Sequence, residues 1–164
     1  MSVVLDIIRT YRAPREVQGR RMANGPREDR ALAVLLAGCA VIFVSQWPRL
    51  ARESHFDPSI GLDARLAGAL FAWLMVMPLV FYAASVLLTL IFKAFSAGIS
   101  GFQCRMALFW ALLASGPVWL FAGLLAGFAP GGGFAVVSSL ALVVVLVFAI
   151  AGLLSAQAIQ RGVV

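Results

Sequence analysis

Hydrophobic residues occur in this chain as long uninterrupted runs, without the regular polar positions that a soluble amphipathic helix shows to water. From Met106 to Gln160 there is no Asp, Glu, Lys, Arg or His. This run is divided once, by the proline- and glycine-rich segment Ala129 to Gly133, which favours a turn. Each arm is long enough to cross a hydrocarbon layer of about 30 Å. The pattern therefore predicts a transmembrane helical hairpin.

Two further uncharged runs precede this hairpin, Ala31 to Trp47 and Leu66 to Phe92. Many polar residues precede the first run, which favours an uncleaved span over a signal peptide. The second run is longer than the hydrocarbon layer, so Pro78 is expected to kink it. Between them a polar loop is expected from Pro48 to Arg65, with the lone His55 exposed. The predicted fold is all-α: a polytopic transmembrane bundle of about four spans, or five if the second run is divided.

The first thirty residues are polar and basic, and they are expected to form a separate segment before the transmembrane domain of residues 31–160. Residues 2–12 carry an apolar stripe at helical spacing opposite a charged side: Val4, Ile7, Ile8 and Tyr11 against Asp6, Arg9 and Arg12. The pattern predicts an amphipathic helix in the membrane interface; the alternative is a frayed tail. A second short basic helix is expected from Pro14 to Met22. The arginines expected to contact lipid headgroups or a partner are Arg9, Arg12, Arg15, Arg20 and Arg21.

Composition and charge support a membrane protein. The 164 residues are 62% hydrophobic and 12% charged, about half the charged share of soluble domains. A net charge of +6 would suggest nucleic acid in a soluble protein, but seven of the thirteen basic residues precede the first span. With four spans, ten basic residues lie on the side of both termini and three on the other. This asymmetry predicts a multi-pass protein of the bacterial inner membrane with both termini in the cytoplasm, and no nucleic-acid partner.

Residues that carry chemistry are scarce. Cys39 lies in an apolar run and Cys104 is expected in a loop, without metal-ligand spacing or clustered histidines. The predicted spans contain no ionisable group, and their hydroxyl groups usually bond backbone carbonyls. We therefore expect no catalytic residue, no cofactor and no metal site. The residues predicted to matter are those that shape and pack helices, namely Gly123, Gly127, Pro78 and Pro117; glycines four apart let another helix approach closely.

Three segments carry a family resemblance: TYRAPREV (Thr10 to Val17), REDRALAVLL (Arg27 to Leu36) and GFQCRMALFWALLASGPVWLFAGL (Gly101 to Leu124). The chain resembles the bacterial branch of the Yip family, the Ypt/Rab-interacting-protein type of membrane domain, and particularly its small alphaproteobacterial members. The resemblance implies a cytoplasmic N-terminus and a multi-helix membrane domain, usually of five spans. Eukaryotic members act in vesicle trafficking by binding small GTPases and one another. The family implies no catalytic residues.

These patterns lead to the hypothesis that the protein has a non-enzymatic function. The chain is expected to be a membrane-organising or adaptor protein, or an accessory subunit of a membrane complex. Its expected partners are the lipid bilayer with anionic headgroups and transmembrane proteins, as a homo- or hetero-oligomer. The competing hypothesis is a small-solute transporter or channel, which would need a polar path near the kinks at Pro78 or Pro117.

Overall fold

The computed structural model describes residues 3–23, 25–94, 98–128 and 132–160, and the regular structure of these residues is helical. Along the chain the helices are α1 (Val3–Thr10), α2 (Pro14–Ala23), α3 (Glu28–Phe56), α4 (Leu62–Phe71), α5 (Met77–Ala94), α6 (Gly101–Ala114), α7 (Gly116–Phe128) and α8 (Gly132–Gln160). One π-helical segment, Ala72–Val76, joins α4 to α5. The predicted all-α bundle is confirmed.

Three stretches of these residues are long and apolar enough to cross a membrane: Glu28–Phe56, Leu62–Ala94 and Ala135–Ile159. The pair formed by α6 and α7 is bent by 43° and provides a fourth crossing if it is counted as one span. The chain therefore has three helices of the length and apolar character of membrane spans, and the predicted four if the bent pair is one span.

Helices α3 and α6–α7 run in the same direction. Glu28 pairs with Arg105 at one end of the bundle, and a Cβ placed on Gly127 would meet Pro48 at the other. Helices α5 and α8 run in the opposite direction. Thr89, near the end of α5, lies close to Gly101 at the start of α6, and Gly152, in the last third of α8, lies close to Ala107 in the first half of α6. We call the end with Arg30, Lys93 and Arg105 the basic end, and the end with Arg49, Glu53 and Arg65 the opposite end.

Helix α6 is the centre of the packing. Within it Cys104, Phe109 and Trp110 are fully buried, and the small side chains of Ala111 and Ala114 are equally enclosed. Helices α3, α5 and α8 all contact it. The core is thus built around one helix of mixed large and small residues, which lets its neighbours approach from several sides.

Each mid-span proline coincides with a break in regular α-helix. Proline has no amide hydrogen and its ring crowds the carbonyl four residues earlier. Before Pro78 the helix widens into the π segment, where the Met77 amide donates to the Ala72 carbonyl. Before Pro117 the helix breaks at Ser115, between α6 and α7. Both predicted kink positions are therefore places where the backbone departs from α-helical geometry.

The predicted polar loop from Pro48 to Arg65 is wrong. Helix α3 continues through Pro48 to Phe56, and the connection to α4 spans only residues 57–61. Arg49 pairs with Glu53 one turn later at 2.8 Å, and Pro48 packs against Gly127 of α7. These contacts offset the backbone hydrogen bond that the proline removes. The exposure expected for His55 is correct.

The loop position expected for Cys104 is also wrong. Helix α6 begins at Gly101, because Ser100 and Gln103 form a capping box that satisfies amide groups at the helix start. Cys104 therefore lies in the first turn of α6 and is fully buried. The predicted turn from Ala129 to Gly133 falls largely on residues 129–131, outside the described residues.

Candidate functional site: a buried polar cluster and its pocket

The two N-terminal helices pack into the bundle as a bent pair. Helix α1 ends where the Ala13 amide donates to the Arg9 carbonyl at 2.8 Å, and α2 begins at Pro14, which suits a first helical turn. Helix α2 lies against α8 and α6, and α1 lies against α2 and α6. The helix predicted from Pro14 to Met22 is confirmed. The pair brings polar side chains of residues 3–23 to the buried surface of α6.

Asp6 and Arg21 form the centre of a buried polar cluster. An Arg21 nitrogen donates to Asp6 Oδ2 at 2.7 Å. The Arg21 side chain is only 13% exposed and the Asp6 side chain only 11% exposed. The Arg21 guanidinium carbon also lies 3.5 Å from the ring centroid of Trp110. A planar guanidinium stacks well on an indole face, so Arg21 is held by charge on one side and by the ring on the other.

Thr10 closes the cluster. The indole Nε1 of Trp110 donates to Thr10 Oγ1 at 3.1 Å, and the same hydroxyl donates to the Asp6 carbonyl at 2.7 Å. Both Thr10 and Trp110 are fully buried. The hydroxyl therefore satisfies a buried indole N–H that would otherwise lose its hydrogen bond to water.

Burial governs the electrostatics of the cluster. It lowers the pKa of Arg21, and the neighbouring Asp6 carboxylate opposes this shift. Arg20 and Arg30 lower the same pKa further, because like charges disfavour a second cation. Arginine keeps its charge at physiological pH in spite of such shifts. The cluster is therefore an ion pair held beside apolar spans, which is costly unless both partners stay together.

Three further contacts anchor the N-terminal pair, each to a span. Gln18 Nε2 donates to the Phe148 carbonyl of α8 at 2.6 Å. Ser155 Oγ of α8 lies 3.0 Å from the Arg15 carbonyl and 2.8 Å from the Ala151 carbonyl of its own helix, and these two acceptors share its single hydrogen. The Tyr11 hydroxyl donates to the Ala114 carbonyl at 3.0 Å.

The bend between α6 and α7 explains the tyrosine contact. The Val118 amide, which would bond Ala114 in a straight helix, donates to the Ser115 carbonyl instead. The break near Pro117 thus creates the acceptor that Tyr11 uses. The kink at Pro117, which the sequence predicts, therefore also provides a hydrogen-bond acceptor for the N-terminal segment.

The amphipathic helix predicted over residues 2–12 is present as the shorter helix Val3–Thr10. Val4 and Ile8 of the apolar stripe are exposed on the outer surface, where lipid can cover them. Asp6, which was assigned to the charged side of the helix, is buried in the protein. The reason is the pairing with Arg21, which no helical periodicity within residues 2–12 reveals.

The five arginines expected to contact headgroups lie in different environments. Arg9, Arg12 and Arg15 are exposed, and none of them forms an ion pair among the residues that the structure describes. Arg20 is partly exposed and lies 3.8 Å from Glu16. Arg21 belongs to the buried cluster. Their contact with lipid or a partner stays a prediction.

A pocket of about 500 Å³ opens beside the cluster, between α1, α2 and α3. Charged side chains line part of it and apolar side chains the remainder: Asp6, Arg20, Arg21 and Arg30, with Val3, Val17, Ala33, Val34, Ala37 and Leu113. The pocket therefore combines positive charge with an apolar wall.

The glycines singled out in the sequence pack within the chain. A Cβ built on Gly123 would lie 1.7 Å from the Ser45 carbonyl oxygen, and one on Gly127 would lie 2.5 Å from Pro48 Cβ. At both glycines the backbone of α7 therefore touches α3 of the same molecule. This face of α7 is occupied by α3, so a second chain would need another surface.

Four hydroxyl groups in the spans bond the backbone of their own helices. Ser45, Ser85 and Ser115 donate to carbonyls three residues earlier, and Thr89 donates to the carbonyl four residues earlier, at distances of 2.6 to 2.8 Å. These four groups are satisfied internally, whereas the buried Ser138 Oγ of α8 has no hydrogen-bond partner within the described residues. Within the described residues, no group of three or more His, Cys, Asp or Glu side chains is placed to hold a metal ion.

The sequence alone did not reveal that Asp6, Thr10, Arg21 and Trp110 form one cluster. One signal was present: Asp6 and Thr10 are four residues apart and so share a face of α1. Trp110, by contrast, is one hundred residues from Thr10, and nothing local connects the two.

No family model, curated protein or solved structure matches this chain. Kinship with the Yip family therefore stays a prediction based on the three segments quoted above.

Proposed function

We propose that this chain is a non-enzymatic integral membrane protein that acts as an adaptor or accessory subunit, by offering a helix face to a partner transmembrane chain. The observation that carries the proposal is the poor burial of one span. In the most apolar window of Leu62–Ala94 only 11% of residues are buried, against 39% for α3. The exposed side chains of α5 form a broad apolar surface: Leu79, Val80, Val86, Leu87, Leu90 and Ile91.

Packing contributes most of the energy of helix association in lipid, since lipid tails are as apolar as leucine. A span that its own bundle covers so little has most of its surface available for a second chain. The internal bonding of Ser45, Ser85, Thr89 and Ser115 supports the same proposal. Those groups stabilise their own helices, whereas a small-solute transporter or channel would direct polar groups into a path.

The proposal places the protein in the bacterial inner membrane with the basic end in the cytoplasm, since basic residues favour that side. Kinship with the Yip family would agree with a role exercised through protein contacts. An impermeant thiol reagent checks the orientation. It should label Ile60→Cys at the opposite end in intact cells, and Arg27→Cys, beside the Glu28–Arg105 pair at the basic end, only after the membrane is opened.

Site-specific photocrosslinking in native membranes tests the adaptor function. A benzophenone side chain at Leu79 or Leu87 of α5 should yield an adduct of discrete mass with another protein chain. Leu146 of α8 is a matched comparison, because it is also an exposed leucine but lies in a span whose apolar window is 22% buried, against 11% for Leu62–Ala94. We expect a weaker adduct there.

Two results would overturn the proposal. Equal adducts at all three positions would indicate random collisions in the membrane. Absence of protein adducts at α5, together with solute flux through the purified chain in vesicles, would favour the transporter hypothesis.

A further inference from the structure

The pocket between α1, α2 and α3 is graded from charged to apolar along α3. Arg30 is the last charged residue of α3 before the uncharged run. Ala33, Val34 and Ala37 follow it, about 4 to 10 Å farther along the helix axis. Leu113 of α6 lies at the depth of Gly38, whose Cβ would be 3.3 Å from the Leu113 amide. The charged part of the pocket thus lies nearer the basic end, and the apolar part extends toward the middle of the bundle.

The charge of the pocket suits an anion. Three arginines and a single acid line it, and that acid, Asp6, is paired with Arg21. Arg30 makes no ion pair within the described part of the chain. Arg20 and Arg30 are both close enough to Arg21 to lower its pKa. An anion placed here would offset this mutual repulsion.

An anion alone would not cover the apolar wall of the pocket. Ala33 and Ala37 lie one turn apart on α3, and both are exposed. Both line the apolar part of the pocket, where their short side chains take up little space. A free inorganic anion would leave this wall uncovered, whereas an amphiphile with an anionic head and a hydrocarbon tail would cover both parts.

We propose that this pocket binds one anionic phospholipid, with its phosphate between Arg20 and Arg30 and an acyl chain along Ala33 and Ala37. A membrane supplies such a ligand in the orientation that the pocket needs, head outward and tail toward the middle of the bundle. The bound lipid would touch α1 through Val3, α2 through Val17, and α3. It would therefore hold the N-terminal helices against the first span.

Native mass spectrometry of the full chain, purified in mild detergent, tests the site with phosphatidylglycerol as the probe. Arg30→Gln removes one headgroup contact. Ala37→Phe fills the apolar part of the pocket, where the acyl chain is proposed to lie, without changing the charge. Each should weaken retention of one phosphatidylglycerol by about fivefold. Arg27→Gln and Ala135→Phe are the matched controls, since both residues are exposed and neither lines the pocket. They should retain the lipid as the unmodified chain does.

The remaining outcomes decide against the proposal. If Arg27→Gln weakens retention as much as Arg30→Gln, the attraction is diffuse and no site exists. If Ala37→Phe has no effect, or if inorganic phosphate displaces the lipid, the pocket holds only an anion. If phosphatidylcholine is retained as strongly as phosphatidylglycerol, the arginines do not select charge. Unchanged circular dichroism of each variant ensures that a loss of lipid is not a loss of fold.

Discussion

Asp6 and Arg21 are the two charged residues of the N-terminal helices that are buried together inside the protein. Each is nearly enclosed, and each is satisfied mainly by the other. Trp110 adds a flat surface for the guanidinium and a hydrogen bond to Thr10. Removing one partner of such a pair leaves a poorly solvated charge, which costs more than the pair itself contributes.

Replacing Asp6 by Asn should therefore destabilise the protein by about 2–4 kcal/mol, somewhat below the range for a fully buried pair. The measurement is unfolding of the purified chain by heat or by a denaturing detergent. Arg9→Gln is the control: Arg9 is a neighbour on the same helix but is exposed and belongs to no ion pair in the described residues. Equal stability of the Asp6 and Arg9 variants would show that the ion pair contributes nothing.

Among the helices, the close contact between α3 and α7 depends on glycine. A side chain at Gly123 would overlap the backbone of Ser45, so the two helices can approach only while that position lacks a Cβ. The sequence suggested close helix contact here, but not its partner. Glycine spacing marks a face where backbones can meet, and it carries no information about which helix meets it.

Gly123→Ala should separate α3 from α7 and destabilise the bundle by about 2–4 kcal/mol, at the upper end of the cost of overpacking. Gly68→Ala is the matched control, because a Cβ on this helical glycine meets nothing within 4 Å. It should leave stability unchanged or slightly raised, since alanine favours helix. Comparable unfolding of the two variants in the same detergent would argue against the observed contact.

At the scale of the whole molecule, the hydrophobic runs predicted the helices and the prolines predicted the breaks, because both effects are local. The sequence did not reveal that α3 continues past Pro48, where packing on Gly127 compensates for the lost hydrogen bond. Nor did it reveal the polar cluster, since Thr10 and Trp110 meet only when α1 docks on α6. Pairings between distant segments depend on the assembled bundle and leave little trace in periodicity.

The N-terminal helices are an integral part of the bundle, bonded through Tyr11 to α6 and through Gln18 to α8. Crosslinking of Arg15→Cys to Ser155→Cys by a short bis-maleimide in native membranes tests this placement, because Ser155 Oγ lies 3.0 Å from the backbone carbonyl of Arg15 and the reagent can bridge the exposed side chain at position 15. Cys39 and Cys104 are replaced by Ala in this background, and Arg15→Cys with Ile60→Cys at the opposite end is the control. A rapid crosslink within one chain, absent from the control, is the expected result. No crosslink, or one formed only between two chains, would show that the N-terminal helices lie apart from the spans.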